Sequence, residues 1–316
     1  MKVEFAPLNI PLARRLQTAS VLQWVLSFLL LTQLCYGIMI MLIIYNYWFL
    51  YIPYLIWLYF DWRVPEQGGR RSNWVRSWTV WRYFKDYFPI HLIKTQDLDP
   101  GQNYIFAFHP HGILVPGAFG NFATNYSDFK KLFPGFTAYL HVISCWFRTP
   151  FFRDYLMSFG IVSVSKKSLS HVLSKNGVNN PEGSWIRAAQ DTLLKYTGLP
   201  LPLFHARGIF QYSFGIMPYR KPIHTIVGRP IPVQRTLHPT PEQTEKLHQT
   251  YMEELRKLFN EHKGKYGIPE HETLPPELNC MALCWSPVPA APGRESGEEG
   301  FAGSKLSSLQ ACANIK

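Results

Sequence analysis

Two histidines, one residue apart, are the residues of this sequence best placed to do chemistry. They lie in His109-Pro110-His111-Gly112, which interrupts an apolar run. An imidazole ionises near neutral pH and can take a proton from a substrate hydroxyl. Neither a serine nucleophile elbow nor a well-placed cysteine accompanies the pair, so the spacing favours a general base over a covalent nucleophile. The electrophile would then be an acyl group that is already activated, such as a thioester.

The segments on either side predict how the histidines are held. Tyr104–Phe108 is aromatic and apolar and follows a turn-like Asp-Pro-Gly, which predicts a buried strand. Aromatic residues then recur at three- and four-residue spacing over Phe119–Phe133, which predicts a helix. The histidines would therefore lie on a strand-to-helix loop, where free backbone N–H groups near Gly112 could hold an oxyanion.

A structural role and metal binding are the two alternatives to catalysis for the histidine pair. A His-x-His pair in a loop is commonly a structural or incidental feature. A metal site would need carboxylate or thiolate companions, and none lies nearby in the sequence. Cys280 and Cys284 form a lone CxxxC without a second ligand pair. We therefore expect no bound metal.

A long uncharged run dominates the N-terminal part of the chain. From Leu16 to Phe60 there is no Asp, Glu, Lys or Arg, and one bilayer crossing needs about 20 apolar residues. After a polar lead over 1–15, we predict a membrane-embedded hairpin or two transmembrane helices over 16–60. Arg14 and Arg15 precede the run and many basic residues follow it, so both ends are expected in the cytosol.

Charge and cysteine content narrow the partners and the compartment. The net charge is +11, but the excess cations cluster with tryptophans just after the apolar run. Anionic lipid headgroups are therefore the expected partner, and nucleic acid is not. The five cysteines are odd in number and scattered, which predicts no disulfide framework and a reducing compartment.

The remainder of the chain, over 61–274, carries both strand and helix patterns. A capping box of Thr240 and Gln243, with Pro241 between them, predicts the start of a helix that ends near Gly264. Over 275–316 the composition changes to Pro, Gly, Ser and Glu, and we predict a disordered tail. The other predicted elements are a strand over Gly160–Val164, a loop over 176–181, a helix over Ser184–Thr197 and a strand over Ile223–Val227.

The histidine block also carries a family resemblance. FHPHG after YIF, with Tyr87-Phe88-Pro89 upstream, resembles the type 2 diacylglycerol and monoacylglycerol acyltransferase family. The stretches WFRTPFFRDY, PLFHARGIFQYSFG and YGIPEHETL extend this similarity over 1–274. The fold implied by the resemblance is a membrane-anchored α/β acyltransferase-like layer of mixed sheet and helices, preceded by an N-terminal hydrophobic helical hairpin.

The resemblance implies transfer of a fatty acyl group from acyl-CoA to 2-monoacylglycerol at the endoplasmic reticulum membrane, with the catalytic side in the cytosol. His111 would be the general base and His109 its catalytic companion. Acyl-CoA would be a co-substrate, and no cofactor is expected. Loop or motif support would come from Gly112, Pro110, Tyr87, Phe88 and Pro89.

Two further sets of residues are candidates for ligand contact. Four arginines could bind the phosphates of CoA, although solvated surface arginines are the commoner case: Arg148, Arg153, Arg207 and Arg229. The FLxL stretch of Phe28, Leu29 and Leu31 matches a neutral-lipid motif of the family. Ordinary packing within the apolar run is the alternative for this stretch.

The chain also departs from the family. Blocks of the form GGxxE, RxGFxxxA and VPxFSFGEN are absent between Gly177 and Asn179, so the domain is incomplete relative to the family. Their loss would remove an acidic partner of the histidines and a core strand. The alternatives are acylation of diacylglycerol or a fatty alcohol, or an inactive membrane-anchored variant that associates with full-length relatives. Homo- or hetero-oligomers with family members are the expected protein assemblies.

Overall fold

The computed structural model describes residues 5–7, 9–109, 114–174, 207–212, 215–233, 240–274, 281–287 and 306–315. The α-helices in these ranges are α1 (Leu12–Leu26), α2 (Thr32–Ile44), α3 (Trp48–Asp61), α4 (Asn73–Arg76), α5 (Val80–Tyr87), α6 (Pro116–Ala118), α7 (Phe129–Leu132), α8 (Phe152–Ser158), α9 (Lys166–Ser174) and α10 (Pro241–Lys263). The strands are β1 (Ile90–Lys94), β2 (Asn103–His109), β3 (Phe136–Val142), β4 (Ile161–Ser163), β5 (Ile223–Pro232), β6 (Met281–Pro287) and β7 (Leu306–Ile315). Single π-helical turns span Ser27–Leu31 and Phe119–Ala123, and 3₁₀ turns span Val64–Glu66, Ser144–Arg148 and Gly264–Tyr266.

The N-terminal apolar run forms two helical arms of unequal length. The turn Ser27–Leu31 joins α1 to α2 in one helix of 33 residues, Leu12–Ile44, which is long and apolar enough to cross a membrane. The chain then reverses at Asn46, which has φ +57°, and α3 packs against α2. With 14 residues at about 1.5 Å per residue, α3 is shorter than a hydrocarbon core of about 30 Å. Among the described residues, only the first arm is long enough to span a membrane.

The inner end of α1 belongs to the core of the domain. Trp24 is 2% exposed, and its ring lies 5.0 Å from that of Phe84 on α5 and 5.5 Å from that of Phe119. Ser20 Oγ donates a hydrogen bond of 2.6 Å to the carbonyl oxygen of Val80. The core of the domain therefore begins inside the range 16–60 that the sequence assigns to the membrane.

The outer part of the helical arms is exposed, unlike the inner end of α1. Large apolar side chains on α2 and α3 are exposed in unusual number: Leu34, Ile40, Ile43, Ile44, Trp48, Phe49, Leu50, Ile56, Tyr59 and Phe60. A contiguous apolar surface of this kind is rare on soluble monomers and marks an interaction surface.

The sheet is mixed and places the histidine strand at its centre. Its seven strands run in the order β1-β5-β7-β2-β6-β3-β4. The pairs β1/β5, β2/β7 and β3/β4 are parallel, and β5/β7, β2/β6 and β3/β6 are antiparallel. This arrangement confirms the predicted α/β layer of mixed sheet and helices. The predicted strand over Tyr104–Phe108 is confirmed as β2.

The prediction of a disordered tail is wrong for two segments. β6 and β7 both lie in the range 275–316, and they flank β2 on its two sides. Their sequences, MALCWSP and LSSLQACANI, contain no charged residue, unlike the Gly- and Glu-rich stretch between them. Backbone groups of β2 would otherwise lack partners on both sides. The Gly- and Glu-rich stretch between the two strands dominates the composition of the range 275–316.

Two other element predictions need correction. The single helix predicted over Phe119–Phe133 is a π-helical turn and the short α7, because Thr124 is extended and ends the first turn. The strand predicted to end at Val227 continues to Pro232. The pairing of β5 with β7 changes register between Val227 and Pro230, so Gly228 lies in a β-bulge within the strand and not in a turn after it.

The remaining element predictions agree with the structure where it describes them. The strand over Gly160–Val164 is confirmed as β4. The capping box of α10 is present, since Thr240 Oγ1 accepts from the Gln243 backbone N–H at 3.2 Å and Gln243 Oε1 accepts from the Thr240 backbone N–H at 3.1 Å. The predicted loop over 176–181 and helix over 184–197 lie outside the described residues.

The burial of Trp24 predicts a large effect of its removal. We expect Trp24→Ala to lower the free energy of unfolding by about 3–5 kcal/mol, because it leaves a cavity between α1 and α5. Thermal unfolding of the detergent-solubilised chain measures the effect. Trp74→Ala is the matched control, since Trp74 is 73% exposed, and a change below about 1 kcal/mol is expected. Equal losses in the two variants would contradict this role of Trp24.

Candidate active site

His109 is the last residue of β2 and lies in the interior beneath α10. It is 1% exposed, and its ring centroid lies 5.8 Å from that of Tyr251, with the planes at 53°. Tyr251 belongs to the apolar face of α10, which packs with Leu255 and Ile226 against the sheet. The sheet and α10 together therefore fix the end of the strand that leads to the histidine loop.

The loop itself is only partly within the described residues. Pro110, His111 and Gly112 lie outside them, so their roles as motif support, general base and oxyanion support stay predictions. The described residues show how the loop is anchored. His109 is buried before it, and Val115 is buried after it at the N-cap of α6.

The expected helix after the loop is much shorter than predicted. α6 has three residues and continues into the π-helical turn Phe119–Ala123. A helix dipole grows from aligned peptide units, so this element contributes little field to an oxyanion. Any oxyanion support would come from individual N–H groups of the loop.

Tyr87 has a polar role that the sequence does not reveal. It is fully buried at the end of α5, and its hydroxyl donates to the Pro218 carbonyl oxygen at 2.7 Å. The same hydroxyl accepts from Arg207 Nη2 at 2.9 Å and from Arg207 Nε at 3.2 Å. One motif residue and one candidate CoA arginine are thus in direct contact.

The other two residues of that motif support the fold. Phe88 is buried, with its ring 5.3 Å from that of Phe84. The carbonyl oxygen of Pro89 accepts from the Ile223 backbone N–H at 3.2 Å, next to the pairing of β1 with β5. Both residues connect α5 to the edge of the sheet.

Arg153 is committed to an internal ion pair. The side chain is fully buried, and its Nη1 lies 2.7 Å from Asp61 Oδ2 while its Nη2 donates to the Asp61 carbonyl oxygen at 2.8 Å. Arg70 pairs with the other carboxylate oxygen of Asp61. A phosphate could reach Arg153 only by displacing Asp61, which argues against a contact with CoA.

The other three arginines lie in different surroundings. Arg148 is exposed at the end of a 3₁₀ turn. Arg229 is exposed at the bulge of β5 and lines a groove with both basic and acidic residues, including Lys257 and Glu254. Arg207 alone is buried against another residue of the predicted site, Tyr87.

The FLxL stretch packs on the domain. Phe28, in the π-helical turn, has ring contacts with Trp24 at 5.6 Å, Phe152 at 5.7 Å and Trp146 at 5.9 Å. Leu29 and Leu31 are partly buried against the same core. These contacts support ordinary packing, and neutral-lipid binding stays a prediction.

Arg76 was not singled out by the sequence, although it holds the segment after the histidine loop. It is buried, and its Nη2 donates to the Phe122 carbonyl oxygen at 2.9 Å while its Nε donates to Asn125 Oδ1 at 3.2 Å. Burial, with a smaller contribution from the nearby Arg71, lowers the pKa of its guanidinium to about 9. An arginine in a segment rich in tryptophan and arginine has no sequence signal that separates it from a surface cation.

His141 on β3 is a second buried histidine that the sequence did not single out. It has a hydrogen bond of 3.0 Å between Nδ1 and the Ser163 carbonyl oxygen on β4. Burial lowers the pKa of its imidazole to about 4. The structure brings no group of three or more His, Cys, Asp or Glu side chains together as a metal site within the described residues.

The comparisons with known proteins identify the family. The diacylglycerol acyltransferase family model matches residues 40–179 and 176–276. The chain belongs to the diacylglycerol acyltransferase family. This result confirms the resemblance drawn from FHPHG and the motifs around it. No solved structure matches the chain.

The similar proteins in this family include two kinds of acyltransferase. 2-acylglycerol O-acyltransferase 1 of Bos taurus is 64% identical over an alignment of 332 positions, gaps included. The alignment covers 87% of this chain and 99% of that protein. The protein of the same name in Homo sapiens is 60% identical, with the same shares covered. Diacylglycerol O-acyltransferase 2 of Homo sapiens is 40% identical over 320 residues, covering 83% of this chain and 82% of that protein.

The lengths and positions of these alignments support the predicted internal gap. The alignment to the bovine relative spans 332 residues but uses 87% of this chain of 316 residues, so the relative has residues with no counterpart here. The two family matches meet at 176–179. The absent block predicted between Gly177 and Asn179 falls at this junction.

The lowered pKa of His141 predicts a pH-dependent stability. The imidazole stays neutral in the folded chain down to about pH 4, whereas the unfolded chain takes up a proton below about pH 6.5. The unfolded state binds more protons between these values, so the free energy of unfolding falls as the pH falls through this window. The His141 contribution is at most about 1.4 kcal/mol per pH unit.

Unfolding midpoints at pH 7, 6 and 5 in wild type and His141→Gln measure this dependence. We expect a shallower slope in the variant. His271→Gln, which changes an exposed histidine, should keep the wild-type slope. An unchanged slope in His141→Gln would show that other groups cause the acid sensitivity.

Proposed function

We propose that this chain transfers a fatty acyl group from acyl-CoA to a free hydroxyl of 2-monoacylglycerol, giving diacylglycerol and CoA. The observation that carries the proposal is the 64% identity to a 2-acylglycerol O-acyltransferase over 99% of that protein. The position of His109, the first residue of the histidine block, at the end of the central strand β2 agrees with it.

In the proposed reaction, His111 acts as the general base. Its imidazole takes the proton of the acceptor hydroxyl while the hydroxyl oxygen attacks the thioester carbonyl carbon. The tetrahedral intermediate collapses as the carbon–sulfur bond breaks, and the CoA sulfur leaves with the proton returned from His111. The thioester is already activated, so this chemistry needs neither an enzyme nucleophile nor a redox cofactor.

His109 has a different role in this proposal. Its burial against Tyr251 holds the start of the loop. The imidazole of His109 is enclosed by the sheet and α10, so it supports the loop as a positioning residue. His111 follows two residues after His109, the last residue of β2.

We also propose that the chain is anchored in the endoplasmic reticulum membrane, with the domain on the cytosolic side. The helix Leu12–Ile44 and the exposed apolar surface of α3 support the anchor. A hairpin is favoured over two crossings because α3 is short. The basic residues on both sides of the apolar run support a cytosolic location for both ends.

The alternative functions have less support. Acylation of diacylglycerol is named by relatives at 40% identity, which is well below the 64% of the 2-acylglycerol enzyme. A fatty alcohol as acceptor rests on the family resemblance alone. An inactive chain that only associates with other family members rests on the absent block, and it is the less favoured interpretation.

Substitution of the two histidines tests the proposed mechanism. In membranes supplied with radiolabelled oleoyl-CoA and 2-monoacylglycerol, His111→Ala should reduce diacylglycerol formation at least about 100-fold, the usual effect of losing a general base. The amount of chain in the membrane should stay the same. His109→Ala should lower the activity together with the amount of folded chain, because His109 is buried.

His271→Ala is the control for these variants, since this histidine is exposed and lies beyond the end of α10. It should keep the wild-type activity. Normal diacylglycerol formation by His111→Ala would remove His111 from the mechanism.

A further inference from the structure

A wide basic groove lies beside the start of α1. It has a volume of about 1240 Å³ and is formed by the N-terminal segment, the first turns of α1 and the chain around Arg207 and Arg220. Its cationic lining residues are Arg14, Arg15, Arg207, Arg220 and Lys221. The described lining residues include no Asp or Glu.

Two of these guanidinium groups are held in place by Tyr87. The Tyr87 hydroxyl accepts two hydrogen bonds from Arg207, at 2.9 and 3.2 Å. The Arg220 guanidinium lies over the Tyr87 ring, 4.1 Å from its centroid. One fully buried tyrosine therefore orients two cations toward the same groove.

Arg220 is also fixed from the side of α1. Its Nη1 donates to Gln17 Oε1, and its Nη2 donates to Thr18 Oγ1 at 3.4 Å. Burial lowers the pKa of Arg220. Tyr87 and Tyr212 oppose this effect, and the neighbouring cations Arg14 and Arg207 add to it. Like charges gathered in this way repel one another, and a bound anion relieves the repulsion.

The apolar and aromatic lining residues indicate which kind of anion the groove would bind. Ile10, Leu22 and Ile209 form apolar walls, and Tyr212 and Phe210 add aromatic faces. Aromatic rings beside arginines suit a nucleotide, whose base can stack while its phosphates bind the cations. The groove is also larger than a typical ligand pocket of about 300–1,000 Å³.

We propose that this groove binds the nucleotide portion of acyl-CoA, with its phosphates on Arg207, Arg220, Arg14 and Lys221. The inference rests on the proposed function, which supplies acyl-CoA as the substrate. The position beside the start of the 33-residue helix suits a ligand whose acyl chain lies in the membrane and whose nucleotide lies in water. The inference keeps Arg207 among the four candidate arginines and adds residues that the sequence did not suggest.

The test measures nucleotide binding separately from turnover. The probe is adenosine 3′,5′-bisphosphate, titrated against the full chain in detergent micelles. Arg220→Gln combined with Lys221→Gln should weaken its binding about tenfold or more, since charge-assisted hydrogen bonds to phosphate are lost. The KM for oleoyl-CoA should rise by a similar factor, with the KM for 2-monoacylglycerol unchanged.

Three further measurements make the result decisive: a control variant on α10, a single groove variant and a titration in nanodiscs. Arg256→Gln combined with Lys246→Gln removes the same charge from exposed positions of α10 that line neither groove and should leave binding unchanged. Lys221→Gln alone changes an exposed residue and should still weaken binding if the double variant fails to fold. The third measurement repeats the titration in nanodiscs with and without phosphatidic acid, which separates a nucleotide site from a lipid-headgroup site.

The outcomes distinguish the groove from the reaction. Unchanged binding of the bisphosphate in the groove variants, equal weakening in the α10 control, or no binding to wild type would each overturn the groove proposal. If the groove variants abolish an effect of phosphatidic acid while nucleotide binding stays unchanged, the groove binds an anionic lipid headgroup, and the nucleotide proposal is overturned. Wild-type nucleotide binding without diacylglycerol formation would instead contradict the proposed function and leave the groove supported.

Discussion

The packing of Trp24 against Phe84 and Phe119 is the contact on which the arrangement of this protein depends. It places the first part of a helix long enough to span a membrane inside the core of the α/β domain. The helix and the domain therefore cannot move independently without exposing a buried aromatic cluster. This constraint fixes the orientation of the sheet relative to the apolar helical arms, and with it the direction of β2, which ends at His109.

Helix α5 extends this constraint to the polar part of the molecule. Phe84 faces α1, whereas Tyr87, three residues later, holds Arg207 through its hydroxyl and Arg220 through its ring. The same short helix leads into β1, at one edge of the sheet. The apolar helical arms, the basic groove and the sheet are thus connected through a few adjacent side chains.

Local sequence signals predicted the elements that depend on local interactions. β2, β4 and the capping box of α10 follow from residue type, periodicity and capping chemistry, and the structure contains them. The family resemblance also followed from contiguous motifs. Elements whose formation depends on distant partners were missed, above all β6 and β7, which exist as strands because they pair with β2.

The same distinction applies to the residues of the candidate site. Arg153 was a plausible phosphate ligand because its partner, Asp61, is 92 residues away in sequence. The contact of Arg207 with Tyr87 joins residues 120 apart, so neither motif alone predicts it. Burial of His109 follows from the packing of α10 on the sheet, which composition and spacing do not specify.

Product formation from three competing acceptors tests the central claim most directly. Membranes containing this chain would receive radiolabelled oleoyl-CoA with 2-monoacylglycerol, diacylglycerol or a fatty alcohol, and empty membranes would give the background. The account predicts labelled diacylglycerol from 2-monoacylglycerol well above background and at a higher rate than either other product. No labelled product above background, with the chain present and folded in the membrane, would contradict it.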